Sequence, residues 1–163
     1  MKITLLKESP LPSIIGNDER PDSVVLFVHG LGGNYWTWNV FANRLKTEWI
    51  EADTFGLEYD EYYQTQGFLN KIPILRNFIM MRQIIRGPGI EILSVHLKTI
   101  IEEVCDEYKN VVIVAHSMGG LVARKYILNL LKETKKVGKI KGLITYATPH
   151  KGSKWANWYL VFC

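Results

Sequence analysis

Between Val111 and Ile127 the chain reads VVIVAHSMGGLVARKYI, and its character changes at a single residue. Before Ser117 lies a β-branched apolar run; after it come two glycines and a helical pattern. A serine hydroxyl is a weak nucleophile until a base takes its proton and its oxygen is presented to a substrate. A sharp turn from strand to helix presents it. Such a turn carries the side chain to the carboxyl end of the sheet, where open α/β folds bind ligands, and aims the positive end of the helix dipole at developing negative charge. The bend is strained at the serine and crowds the residues two before and two after, which must be small. Here they are Ala115 and Gly119, so AHSMG departs from G-x-S-x-G by one methyl group. His116 and Gly119 would support this elbow. The competing reading is a serine that only caps the amino end of a helix.

A second motif, HGLGG (His29 to Gly33), directly follows the apolar run VVLFV. Acyl transfer passes through a tetrahedral oxyanion, and one backbone N–H aimed at it is worth about 3–4 kcal/mol. Gly30, Gly32 and Gly33 allow the backbone to curl close enough to point an amide inward. The expected donors are the amides of Leu31 and Met118, the latter following the nucleophile, with His29 shaping the loop. A phosphate-binding loop is the alternative, but the G-K-[ST] ending is missing.

The elements that must position these motifs follow from periodicity. SVVLFVHG (Ser23–Gly30) reads as a strand buried on both faces. Trp38, Phe41, Leu45 and Trp49 recur at helical spacing, and ADTFGLEYD (Ala52–Asp60) reads as a second strand. Residues 61–89 are apolar but punctuated by Lys71, Arg76, Arg82 and Arg86, and end at Gly87-Pro88-Gly89. Leu93, Leu97, Ile100, Ile101, Val104 and Tyr108 mark one face of an amphipathic helix. NVVIVA (Asn110–Ala115) is a third strand, a helix runs from about Met118 to Lys132, and KIKGLITYATP is a fourth strand. Residues 1–22 leave room for one more strand. Strands alternating with helices predict a single α/β domain with a mostly parallel sheet.

Composition narrows the function classes. The 163 residues are 47% apolar and 22% charged, with a net charge of +4 from scattered lysines and arginines. No basic stripe with interleaved aromatics points to nucleic acid. Cys105 and Cys163 form neither a CxxC nor a His/Cys cluster, which argues against a zinc site or disulfide framework and favours a reducing, intracellular compartment. The first residues are too short in apolar content for a secretory signal, and no run reaches transmembrane length.

FVHGLGG, VAHSMGGLVAR and ITYATPHKGS, in that order, resemble the lipase/esterase branch of the α/β-hydrolase superfamily. The resemblance extends over about Ser23 to Ser153 and is strongest to GPI inositol-deacylase-like and serine-active-site lipase-like proteins. It implies an α/β-hydrolase fold, Ser117 as nucleophile, Leu31 and Met118 as the oxyanion hole, no cofactor or metal, and a small-molecule or lipid ester as substrate. It also implies that ATPHKGS follows the sixth of eight strands.

In that superfamily an acid and then a histidine follow the serine in chain order. After Ser117 the sequence offers one carboxylate, Glu133, and one histidine, His150. His150 follows a strand at the appropriate sheet edge, yet related TPHxGS loops occur beside a separate, later histidine. The expectation is a domain cut before its last two strands, nearly inert alone, because losing the base of a triad costs about a million-fold in turnover. Ile74, Leu75, Phe78, Ile79, Met81 and Ile85, within 68–86, suggest either a lid that contacts a membrane surface or an inserted helix packed on the core. His96 reads as structural, and Lys132, Lys135, Lys136, Lys139 and Lys141 as a solvated helix end. The sequence thus predicts a serine esterase or lipase. A non-catalytic scaffold with the same fold, and an acyltransferase using the same serine, are the alternatives.

Overall fold

The computed structural model describes residues 2–7, 21–30, 33–48, 52–58 and 89–152. In chain order these form β1 (Lys2–Lys7), β2 (Ser23–Val28), a 3-10 turn (Tyr35–Trp38) leading into α1 (Asn39–Glu48), β3 (Ala52–Glu58), α2 (Ile90–Glu103), β4 (Asn110–His116), α3 (Met118–Thr134) and β5 (Ile140–Tyr146). The sheet order is β1-β3-β2-β4-β5. β3, β2, β4 and β5 are mutually parallel, and β1 pairs antiparallel with β3.

Alternation along β2 and β4 builds two cores. Val24, Leu26 and Val28, with Val111, Ile113 and Ala115, face α2 and α3 and pack on Leu93, Leu97, Ile101, Val122 and Ala123. Val25, Phe27 and Val114 face the other way, against Trp38 and Ala42. Because both faces are covered, β2 reads as a continuous apolar run.

The chain leaves β2 through α1 toward β3, and leaves β4 through α3 toward β5. These crossovers run in opposite directions along the sheet, and right-handed connections then require helices on opposite faces. The two cores show that arrangement. β2 and β4 are adjacent, so the strand order reverses between them, and their carboxyl ends mark the switch point where open α/β sheets bind ligands.

Two expected helix faces need correction. Trp38 lies in the 3-10 turn, and the inward row is Trp38, Ala42 and the partly buried Leu45; Phe41 is half exposed and rests on Tyr146. α2 ends at Glu103, so Tyr108 lies beyond it. Tyr108 is nevertheless buried, edge-on to Phe55, with its hydroxyl donating to Asp53 Oδ2 at 2.7 Å. An apolar row at helical spacing continues past the helix because the turn that follows also returns to the core. Trp49 and the 61–88 segment, with its expected lid, lie outside the described residues.

Candidate active site

β4 carries its chain to Ala115 and His116, and α3 begins at Met118, so Ser117 alone makes the bend. Its φ of 51° and ψ of −121° place a non-glycine residue where side chains cost of order 1–3 kcal/mol. Although Ser117 occupies the cap position of α3, its side chain makes no capping hydrogen bond. The capping interpretation therefore has no support in the geometry. Backbone bonds hold the bend instead: the Ser117 N–H donates to the Tyr146 carbonyl at 2.8 Å, and the Gly120 N–H to the Ser117 carbonyl at 3.1 Å.

Small residues surround the bend for identifiable steric reasons. Ala115 is fully buried. A methyl group on Gly119 would lie 2.5 Å from the His29 carbonyl oxygen and 2.7 Å from that of Val28, both fixed backbone atoms. A methyl on Gly30 would lie 2.9 Å from Ser117 Cβ and 2.9 Å from His116 Nδ1. The first glycine motif therefore packs directly against the serine bend.

His29 is buried, and its Nδ1 donates to the Gly30 carbonyl at 2.6 Å. The Gly33 N–H donates to the same carbonyl at 3.1 Å, closing the turn. Leu31 and Gly32 lie outside the described residues. Met118 is the first residue of α3, so its N–H has no carbonyl partner within the helix and is among the groups that give a helix start its positive character.

The other candidates are placed elsewhere. Glu133 lies near the far end of α3, about 24 Å from Ser117 by helix rise, and bonds Lys98 at 2.8 Å. His150 is exposed, with Nδ1 3.4 Å from Arg124 Nη1 and Nε2 3.2 Å from Thr145 Oγ1. A guanidinium only donates, so Nδ1 accepts and Nε2 carries the hydrogen. Both ring nitrogens thereby have partners other than Ser117. His96 is partly buried on α2. Lys132, Lys135 and Lys136 are exposed, as expected of a solvated helix end, but Lys139 instead donates to the Cys105 carbonyl at 2.8 Å and also pairs with Asp106. Among the described residues, no group of three His, Cys, Asp or Glu side chains could hold a metal ion.

Motif reading did not anticipate the contributions of Gly120, Tyr146 and Arg124. A methyl on Gly120 would sit on the Thr148 hydroxyl and 2.9 Å from its Cβ. The glycine doublet after the serine was the available sign that a second chain segment comes close here.

Residues 20–160 match the family described as the PGAP1-like alpha/beta domain. No curated protein matches the sequence. The fold is similar to the mature form of the Bacillus licheniformis lipase BlEst2, with a TM-score of 0.54 and 18% identity, over 98% of this chain and 51% of that one. It is also similar to a structure reported with carboxylesterases of the thaumarchaeon Nitrososphaera gargenis (TM-score 0.56, 15% identity, 90% of this chain and 45% of that one). A thermostable carboxyl esterase from Bacillus coagulans gives 0.55 and 16%, over 88% and 41%. The architecture is thus an α/β-hydrolase fold, and the chain spans about half the length of these proteins.

Proposed function

Since the chain belongs to the PGAP1-like alpha/beta domain family, we propose that it forms the nucleophile-bearing part of a serine hydrolase acting on acyl esters, lipids among them. One observation carries this reading. Ser117 holds a positive φ at the switch point of the sheet, uncapped, with the Gly30 backbone packed against it. A serine needed only to start a helix has no use for that strain.

In this mechanism the Ser117 hydroxyl attacks the ester carbonyl and a base takes its proton. The carbonyl oxygen becomes an anion held by the amides of Met118 and Leu31, close to the positive end of α3. Expulsion of the alcohol leaves an acyl-enzyme, which water then hydrolyses. His29 and Gly33 fix the loop through the Gly30 carbonyl. The base and its acid are assigned to no described residue, because His150 and Glu133 are engaged elsewhere. Oxyanion stabilisation and binding without the rest of a triad retain about 10³–10⁴ over the uncatalysed rate.

p-Nitrophenyl esters of graded chain length test the proposal. Because the residual rate of a triad without its base does not depend on the serine, acylation is followed instead: an acyl adduct on Ser117, absent in Ser117→Ala, is expected by intact-protein mass spectrometry. Ester exposure that leaves Ser117 unacylated would overturn the proposal and favour a non-catalytic scaffold. An acylated product formed with added glycerol would identify an acyltransferase.

A further inference from the structure

The end of β5 and the loop after it meet the serine bend and α3 at three successive levels. The Ser117 N–H donates to the Tyr146 carbonyl at 2.8 Å. One turn on, Gly120 lies against Thr148, leaving no room for a side chain. One further turn on, Arg124 Nη1 donates to His150 Nδ1 at 3.4 Å. Positions 120 and 124, four apart on α3, lie on one face of the helix, directly after the bend at Ser117.

The loop between these contacts has a conformation that needs holding. Ala147 has a φ of 48°, which costs of order 1–3 kcal/mol for a residue with a side chain. Its local bonds, His150 N–H to Thr148 carbonyl at 2.9 Å and Gly152 N–H to Pro149 carbonyl at 3.0 Å, curl the loop without attaching it to α3. Arg124 and His150 provide the side-chain attachment. Lys125, the next residue, is tied to Glu91, whereas Arg124 has no carboxylate partner among the described residues. Helical side chains lean toward the amino end, so Arg124 reaches back toward the serine bend. The Nε2–H of His150 then donates to Thr145 Oγ1 on β5 at 3.2 Å, linking helix, loop and strand.

We propose that Arg124 and His150 are positioning residues: their contact clamps the Ala147–Gly152 loop onto α3 and thereby holds the Tyr146 carbonyl on the Ser117 amide. This rests on the reading of Ser117 as nucleophile for its relevance to catalysis, but not for its geometry. A histidine that the sequence offers as a base thus serves the site through backbone placement.

Imidazole nitrogen NMR and amide exchange on this chain test the clamp directly. His150 is expected to show a single Nε2–H tautomer, lost in Arg124→Met. Exchange of the Ser117 amide is expected to quicken at least about tenfold in Arg124→Met, and to return to within about twofold in Arg124→Lys, which keeps a donor. Arg124 is exposed and Met keeps an apolar stem, so the variant retains the fold. An Nδ1–H tautomer, or unchanged Ser117 exchange in Arg124→Met, would overturn the clamp while leaving Ser117 reactivity untouched. A Ser117 that fails to react, with the exchange effect intact, would sink the nucleophile reading and support the clamp.

Discussion

At the scale of the residue, the proposed function and stability pull against each other at one position. Ser117 is strained where glycine would be comfortable. Ser117→Gly is therefore expected to raise unfolding free energy by about 1 kcal/mol while removing the hydroxyl proposed as the nucleophile. Two residues on, Gly119→Ala drives a methyl group into two fixed carbonyl oxygens and is expected to cost about 2–3 kcal/mol. Urea titration of both variants checks the pair, and a stabilising Gly119→Ala would contradict the packing of α3 on the loop after β2. Both effects were legible in the motif, because small residues two either side of a serine already imply crowding. The engagement of His150 was not legible. Its partners, Arg124 and Thr145, become neighbours only when β5 and α3 lie side by side.

At the scale of the element, the strands were readable because a sheet covered on both faces demands unbroken apolar runs, and SVVLFV and NVVIVA are such runs. Helix limits were less readable. Tyr108 continues the spacing of α2 from outside it, since periodicity reports which side chains reach the core and not whether the backbone between them is helical. Trp38 did the same at the start of α1. The strand β5 was also foreseen; among the described residues it pairs only with β4, and Ile144 and Tyr146 are 48% and 43% exposed. Edge strands with apolar exposure favour pairing between chains. Ile144→Lys is expected to shift the chain toward its monomer in size-exclusion chromatography at matched concentration, and an unaltered profile would show that this edge does not mediate association.

At the scale of the whole molecule, the chain combines a sheet whose strand order reverses between β2 and β4 with about half the length of its structural neighbours. Its stability should fall in alkali for a specific reason. Burial pushes the Cys105 thiol up to about 11 and the Tyr126 hydroxyl up to about 12, from ordinary values of 9.0 and 10.0. Above pH 9 the unfolded chain releases the thiol proton while the folded one keeps it, so this contribution is complete below pH 9 and is lost as pH rises to about 11. Tyr126 extends the loss from 10 to about 12. The slope is up to about 1.4 kcal/mol per pH unit for each proton. Urea unfolding between pH 8 and 10.5 should become less pH-dependent in Cys105→Ala, and an unchanged slope would remove the thiol from the explanation.

The claim on which the functional account stands is that one serine differs in reactivity from all the others. Prolonged exposure to a fluorophosphonate, followed by peptide mass spectrometry, measures this site by site. The account predicts slow modification confined to Ser117 and abolished in Ser117→Ala; modification spread evenly over the serines, or sparing Ser117, would contradict it.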